Sequence, residues 1–580
     1  MKSTTSPDPV ETATGKTSWK TILWTGLLCL GLSSLAVLPF FFIGEDPAAG
    51  CCGGAMPVTH DGAMHYNQMR AFWNGLASGR VYPRWESETH SGYGAPTTEF
   101  YPPAVYYLTS AFYLIMRDWW LVLILLHLAM MVASGCAIFW YARSTMSRGS
   151  SLIAMAVYIL APYHLLNQYQ RGAIAEQLSF VWMPLALLFV DRLRGEKTSF
   201  ADFAWLSFCF AAFLYSHPPT AYQFVLVFGS CFAVREFLVR NWRGLGLIAL
   251  SLGVGSLIAA AYFFPAIAEQ RLINADDVER TWPYHSSYVF DYAQKYYDRI
   301  HGQFYIRIDR IWVFSAIAVV LTGIVLLIFR NRLKSIALRS NIWFWLAAGM
   351  LALFLMTRYS YPLGRLIPKI EIGVFSWRML SLTSLAVALL AGACWQAAIE
   401  TSGQGRRFIV YAATAPAILV LLGAFAMSAW YVVKPMYRVE AFKPIPEHYN
   451  YATLPRGIPR QVPKMEPARL VSGAGSVKIE LWKPEYRQVR VALERADSLQ
   501  FRTSNYAGWT AYVDGKITEI RSGEAGMIVL DLPSGEHDIT LEFRSSGVRR
   551  VSIWITLIST MMLISLVFAP KWKNGRSSKT

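Results

Sequence analysis

Twelve apolar stretches, each near the ~20 residues a helix needs to cross a bilayer, leave this chain few folds to choose from. They run at roughly 21–43, 119–141, 150–165, 177–192, 201–216, 220–238, 245–265, 311–329, 341–357, 377–397, 408–432 and 549–568. Of the 580 residues, 54% are apolar and only 16% charged. An ordinary soluble domain carries ~25% charged residues, so these could not cover a soluble surface of this size. Disorder is excluded too, because it needs low hydrophobicity and high charge density. The composition selects a polytopic α-helical membrane protein.

The net charge is +17, from 54 basic and 37 acidic residues. In a soluble chain that excess would suggest nucleic acid. Here the basic residues sit at the ends of apolar spans, so they report topology and nucleic acid is not a partner. Seven alternate connections are basic: Lys2/Lys16/Lys20, Arg143/Arg148, Arg192/Arg194/Lys197, Arg235/Arg240/Arg243, Arg330/Arg332/Lys334/Arg339, Arg406/Arg407 and Lys571/Lys573/Arg576/Lys579. A twelve-span count puts all seven on one side, which the positive-inside rule makes cytoplasmic, with both termini inside. The first stretch reads as a retained span, because it has no small-residue cleavage site before Phe40-Phe41-Phe42 and more spans follow. Cys29, Cys136, Cys209, Cys231 and Cys394 lie in apolar runs and read as packing residues. Cys51 and Cys52 are adjacent in a loop, where a strained vicinal disulfide is an alternative.

The long connections, 44–118, 266–310, 358–376 and 433–548, fall on the other side. A transporter keeps its connections short and its site at the midplane. Function is therefore expected at the outer, periplasmic face of a bacterial inner membrane. Three domains follow: a transmembrane domain over 1–432 with a catalytic first outer loop at 44–118, a periplasmic domain over 433–548, and a last span with its tail over 549–580.

The first outer loop reads HDGAMHYNQMRAFWNGLASGRVYPRWESETHSGYGAPTTEFYPP from His60. Asp61, His65 and Gln68 have i, i+4, i+7 spacing and share one face if 61–77 is helical. Phe72, Trp73 and Leu76 give that helix an apolar face, so it can lie flat on the membrane. Glycines 79, 92 and 94 and prolines 83, 96, 102 and 103 dictate a turn-rich path onward. Residues 103–117 are placed as a second interfacial helix.

An Asp just after the first span, then YPRW, a GYG-P stretch and FYPP before a second interfacial helix, resembles the GT-C membrane glycosyltransferases. That superfamily includes protein mannosyltransferases, lipid A aminoarabinose transferases and mycobacterial arabinosyltransferases. Within it the loop is most similar to bacterial membrane proteins labelled 6-pyruvoyl-tetrahydropterin-synthase-related, a label that implies no pterin chemistry. YQRGAIAE at 169–176, SHPP at 216–219 and FSWRML at 375–380 match further. The likeness covers about 1–400 in span layout. The WWDYG signature of oligosaccharyltransferase catalytic subunits is absent; Trp119-Trp120 follow Asp118 instead.

The resemblance implies a polyprenyl-phosphate sugar as donor, an acceptor hydroxyl on a glycan, lipid or protein, and membrane lipid as surroundings. A carboxylate must take the hydroxyl proton, and cations or donors must stabilise the departing phosphate. The family's catalytic Asp opens the first outer loop, and Asp61 matches that position. Topology puts Arg171, Glu176, His217 and Arg378 at the same face. The candidate set is Asp61 as base, with His65, Arg84, Glu99, Tyr101, Arg171, Glu176, His217 and Arg378 binding substrate. Ionisable residues at membrane spans are costly and often functional.

Each candidate also has a plain structural reading. Asp61 fits a helix N-cap, His65 a surface position and His217 a helix cap. Glu176 can simply pair with Arg171. Arg378 can be an interfacial anchor, with Arg365 and Lys369 as rivals for the phosphate. Glu99 reads best as a solvated loop charge. No cofactor is expected. His60, Asp61 and His65 are the right donors for a metal but lack a third well-spaced ligand set.

Tyrosines 284, 288, 292, 296, 297 and 305, with Trp282, make the middle outer loop either an aromatic belt or a lid. Asp276-Asp277 lie in the same loop and carry little weight. Beyond the prolines at 444, 446, 455, 459 and 463, alternating runs at 477–482, 488–494, 499–504, 510–515, 526–532 and 537–543 predict strands. Asp514-Gly515 predicts a hairpin turn, and a β-sandwich is the default packing. NYAGWTAYVDGK followed by LPSGEHDITLEF resembles the outer domain of YfhO-like glycosyltransferases, which implies a carbohydrate-binding module. Tyr506 and Trp509 are then candidate sugar platforms, with a core tryptophan as the other reading of Trp509. Two further functions stay open: a flippase or transporter of lipid-linked sugars, which the scarcity of charge inside the spans disfavours, and a non-catalytic glycan-binding scaffold.

Overall fold

The computed structural model describes residues 19–41, 59–195, 198–276, 283–291, 299–367, 370, 375–401, 407–412, 414–415, 418, 423 and 451–568. Among them, nine helices are long and apolar enough to cross a membrane. They correspond to nine of the predicted stretches. A tenth, 245–265, is a pair of helices, Trp242–Ile258 and Ala260–Ala268, bent by 79°. Another, 201–216, is the 17-residue helix Phe200–Ser216. Most of 408–432 lies outside the described residues, as do Cys51, Cys52, Asp277, Trp282, Tyr292, Tyr296, Tyr297 and Lys369.

The helix Leu380–Glu400 is buried along almost its whole length. It forms the axis of the bundle, packed against Arg148–Ile159, Arg299–Phe329 and Ile336–Leu355. Local chemistry sets the helix ends. Asp118 accepts from the amides of Trp120 and Leu121 at 2.8 and 3.0 Å and starts Trp119–Arg143. Pro162 forces extended backbone on Ala161 (φ −56°, ψ 131°) and breaks the third span.

At one end of the bundle sits the predicted β-sandwich. Its strands are β1 (Ala468–Leu470), β2 (Gly475–Lys483), β3 (Tyr486–Leu493), β4 (Asp497–Ser504), β5 (Trp509–Val513), β6 (Lys516–Thr518), β7 (Arg521–Ser522), β8 (Met527–Leu532) and β9 (Gly535–Phe543). One sheet runs β1-β4-β8-β7 and the other β2-β3-β9-β5-β6. Asp514 and Gly515 both have positive φ, 49° and 76°. That is the two-residue turn the sequence predicts, closing β5 onto β6 with Val513 opposite Lys516.

The first outer loop is built into this sandwich. Trp85 is 1% exposed and joins the sandwich core, its ring 5.4 Å from Trp509 and 5.3 Å from Phe543. The amide of Ser504 donates to the carbonyl of Tyr93 at 2.8 Å, and the Tyr93 hydroxyl donates to the Pro463 carbonyl at 3.0 Å. Tyr506 and Trp509 therefore offer no sugar platform: they are 5% and 7% exposed and pack inward against Trp85. The alternation of β5 allowed either face, and the outcome depends on Trp85 arriving from 424 residues away in sequence.

Candidate active site

The interfacial helix forms as predicted, Gly62–Ala77. Its apolar face does not simply lie on lipid. Phe72 is wholly buried and meets Tyr107 at 4.8 Å, and Trp73 meets Tyr113 at 5.1 Å, both on the second interfacial helix Ala104–Met116. Asp61 stands at the N-cap position, yet its side chain caps nothing. Thr59 Oγ1 accepts from the Gly62 amide at 3.0 Å instead. The Asp61 carboxylate is thus left for other work.

What it faces is set by the third span. After Pro162–Leu166 the chain widens into a π-helical turn, Asn167–Arg171, and Gly172 (φ +64°) reverses it into the helix Ile174–Leu193. Such wide turns recur at functional sites. The loop docks on this turn through two backbone bonds, His60 N to Gln170 O (3.1 Å) and Asp61 N to Arg171 O (2.8 Å). A Cβ on Gly172 would sit 2.1 Å from Thr59 Oγ1, so the close approach requires glycine.

Four charges meet here. Arg171 ion-pairs with Glu176 and reaches Asp61 Oδ2 at 3.7 Å. Arg378 Nε lies 3.3 Å from Glu176 Oε2. Glu176 is 0% exposed and accepts from the Tyr163 hydroxyl (2.7 Å) and Asn167 Nδ2 (3.1 Å). Arg171 also donates to Asn167 Oδ1 at 2.6 Å and lies over the Trp377 ring at 4.7 Å. Glu176 does pair with Arg171, and it also holds Arg378. The side chains of Arg171 and Glu176 are 3% and 0% exposed, while Arg378 keeps 12% and Asp61 34%. The two inner members are buried, and the two outer ones keep some exposure.

His65 is buried beneath Asp61. The Tyr106 hydroxyl donates its one proton to Gln68 Oε1, so His65 Nδ1, 2.9 Å away, must donate to Tyr106. Nε2 then accepts from the Tyr101 hydroxyl at 3.5 Å. His65 and Gln68 do share a face. Burial pushes His65 down to about 4, so the ring is neutral at pH 7. Both ring nitrogens are engaged by tyrosines. The His60, Asp61, His65 set is therefore not assembled, and among the described residues no group of three or more His, Cys, Asp or Glu is placed to hold a metal.

His217 ends Phe200–Ser216 and caps Pro218–Phe224, its Nδ1 accepting from the Thr220 amide at 3.2 Å. Glu176, Arg378 and Arg171 act on it electrostatically. Arg84 and Glu99 belong to a different cluster. Glu99 is not a solvated loop charge: it is 0% exposed, 2.6 Å from Arg84 Nη1 and 3.5 Å from Arg549 Nε. Arg549 continues to Glu269 at 2.6 Å, which accepts from Tyr506 and Ser546. The rival Arg365 is exposed.

Tyr163, Asn167 and Trp377 escaped the sequence reading. Tyr163, Asn167 and Arg171 are spaced by four, a legible helix face. Arg549 and Glu269 had no comparable signal.

No family model matches the chain. A protein of Lactococcus lactis subsp. cremoris (strain MG1363), described only as uncharacterised, is 26% identical over 258 residues, 42% of this chain and 39% of its own length. Among solved structures, the chain is similar to the archaeal oligosaccharyltransferase AglB from Archaeoglobus fulgidus, in complex with an inhibitory peptide and a dolichol-phosphate. That match has a TM-score of 0.42 at 14% identity and covers 73% of this chain and 57% of that one. It is similar also to arabinofuranosyltransferase AftD from mycobacteria (TM-score 0.40, 16% identity, 71% and 27% coverage). A third is ArnT from Cupriavidus metallidurans bound to undecaprenyl phosphate (TM-score 0.28, 11% identity, 66% and 80% coverage). The chain thus matches about two fifths of the bacterial relative's length.

Proposed function

We propose that the chain is an integral-membrane glycosyltransferase of the GT-C type. It moves a sugar from a polyprenyl phosphate to an acceptor hydroxyl at the periplasmic face, with Asp61 as general base. The observation that carries this is the uncapping Asp61 carboxylate, one-third exposed and fastened by its own backbone to the Arg171 turn. The donor class follows from the sequence resemblance of the first outer loop.

The residues divide the work. The acceptor oxygen attacks the anomeric carbon and passes its proton to Asp61, while the bond from that carbon to the phosphate oxygen breaks. Arg378 takes the departing phosphate, a role supported by its partial exposure and by the carboxylate it shares with Arg171. Arg171 is engaged by Glu176, Asn167 and Asp61 and acts by positioning. Neutral His65, held between two tyrosines, adds no charge to the pocket floor.

The test is a panel of polyprenyl-phosphate sugars given to the purified protein in liposomes with a cell-envelope extract. Consumption of one donor supports the transferase. Movement of lipid-linked sugar between leaflets without consumption favours the flippase.

A further inference from the structure

A cavity of about 560 Å3 opens between the first outer loop, the sandwich and the last span, distinct from the Asp61 site. Its volume lies within the ~300–1,000 Å3 usual for small-ligand sites. Four arginines, Arg80, Arg84, Arg544 and Arg549, line it against two carboxylates, Glu485 and Glu542. Glu99 and Glu269, which balance Arg84 and Arg549, do not form part of the wall. Arg80 pairs with Glu485 at 3.1 Å and Arg544 with Glu542 at 3.0 Å, so each wall guanidinium is matched by a carboxylate, and what it offers a ligand is its remaining N–H donors. Arg549 has a side chain 0% exposed, and its Nη1 makes no hydrogen bond among the described residues. A buried donor left without an acceptor is unfavourable, so an acceptor entering the cavity has something to gain there.

The rest of the wall is not that of a soluble-anion site. Val81 is 86% exposed at its rim, and Ile553 enters from the membrane-spanning helix Gly547–Ser565. Across the same helix runs an apolar groove of about 590 Å3 between Phe264, Ile267, Val551 and Ile555. Cationic donors thus meet hydrocarbon where the last span leaves the bilayer. Arginine forks suit phosphate oxygens, and the apolar rim suits acyl chains.

We infer that this cavity binds the phosphate headgroup of an anionic membrane lipid, held between the first outer loop and the sandwich. The lipid would occupy the seam through which the sandwich contacts the loop that carries Asp61.

The test uses the full chain in neutral-detergent micelles, titrated with dioctanoyl phosphatidylglycerol and, separately, dioctanoyl phosphatidylcholine, with binding read by native mass spectrometry. The wild type should hold phosphatidylglycerol at least tenfold more tightly. Val81→Glu places a negative charge at the exposed rim without touching an ion pair and should weaken it at least tenfold. The Arg80→Gln/Arg544→Gln double variant should do the same, and it decides the matter if Val81→Glu fails to unfold cooperatively. Equal retention of the two lipids, or variants that bind like wild type, would overturn the inference. Displacement by an equal concentration of inorganic phosphate would overturn it too, by making the site one for a free anion.

Discussion

The Asp61 cluster and the Glu99 cluster are made of the same parts, two arginines and two acids, and they lie at the same end of the molecule. In the Glu99 cluster every side chain is 7% exposed or less, and Arg84–Glu99 and Arg549–Glu269 both close at 2.6 Å. In the Asp61 cluster the inner pair is as buried, but Asp61 is 34% exposed and stands 3.7 Å from its arginine. The difference separates fastening from chemistry. The Glu99 cluster closes its ion pairs on one another and so holds the first outer loop, the sandwich and the last span together, while Arg84 and Arg549 also border the neighbouring cavity. The Asp61 cluster instead keeps a partly exposed carboxylate and a partly exposed guanidinium. A buried charge matters most when its partner is removed, so the two clusters should fail in different ways.

The largest effect should fall on turnover in the Asp61 cluster. Arg378→Gln removes the proposed phosphate partner while Glu176 keeps Arg171, Tyr163 and Asn167. Initial rates of donor consumption should drop roughly 10²–10³-fold, with thermal unfolding close to wild type. In the closed cluster, Glu99→Gln leaves Arg84 and Arg549 without their shared carboxylate and should cost ~3–5 kcal/mol of stability. Denaturant unfolding and proteolysis at the loop–sandwich junction would read that cost, and a variant as stable as wild type would remove the fastening role.

Glu86 gives a pH test of the same fastened loop. It is 3% exposed, and burial pushes its carboxyl from 4.5 up to about 7. Between those values the folded state holds a proton the unfolded chain has lost, so Glu86 makes stability fall as pH rises through the window. Glu86→Gln should therefore gain up to about 3 kcal/mol over wild type at pH 8 and nothing at pH 4; melting curves at the two pH values decide. The smallest effect concerns the cap. Thr59→Val should cost ~1 kcal/mol at the start of Gly62–Ala77, whereas Asp61→Ala should leave that helix start unchanged. Hydrogen exchange of the first-turn amides distinguishes the two.

Much of this was legible in the sequence. Length and apolarity alone place nine of the spans, and Asp514-Gly515 announces its hairpin. Asp61, Arg171, Glu176 and Arg378 meet because alternating topology sends all four to one face. What was not legible depends on contacts between distant segments. Glu99 has the look of a solvated charge in a Pro- and Gly-rich loop until Arg549, 450 residues later, closes over it. Trp509 and Tyr506 have the alternation of an open strand face until Trp85 fills it. Short-range pattern reads faces; it does not read which distant side chain will cover them.

The most direct test of the central claim compares donor consumption by wild type and Asp61→Asn in the same liposomes, each checked for cooperative unfolding. The Asp61→Asn protein should unfold like wild type and consume donor roughly 10²–10⁴-fold more slowly. A folded Asp61→Asn protein that consumes donor at the wild-type rate would contradict the claim.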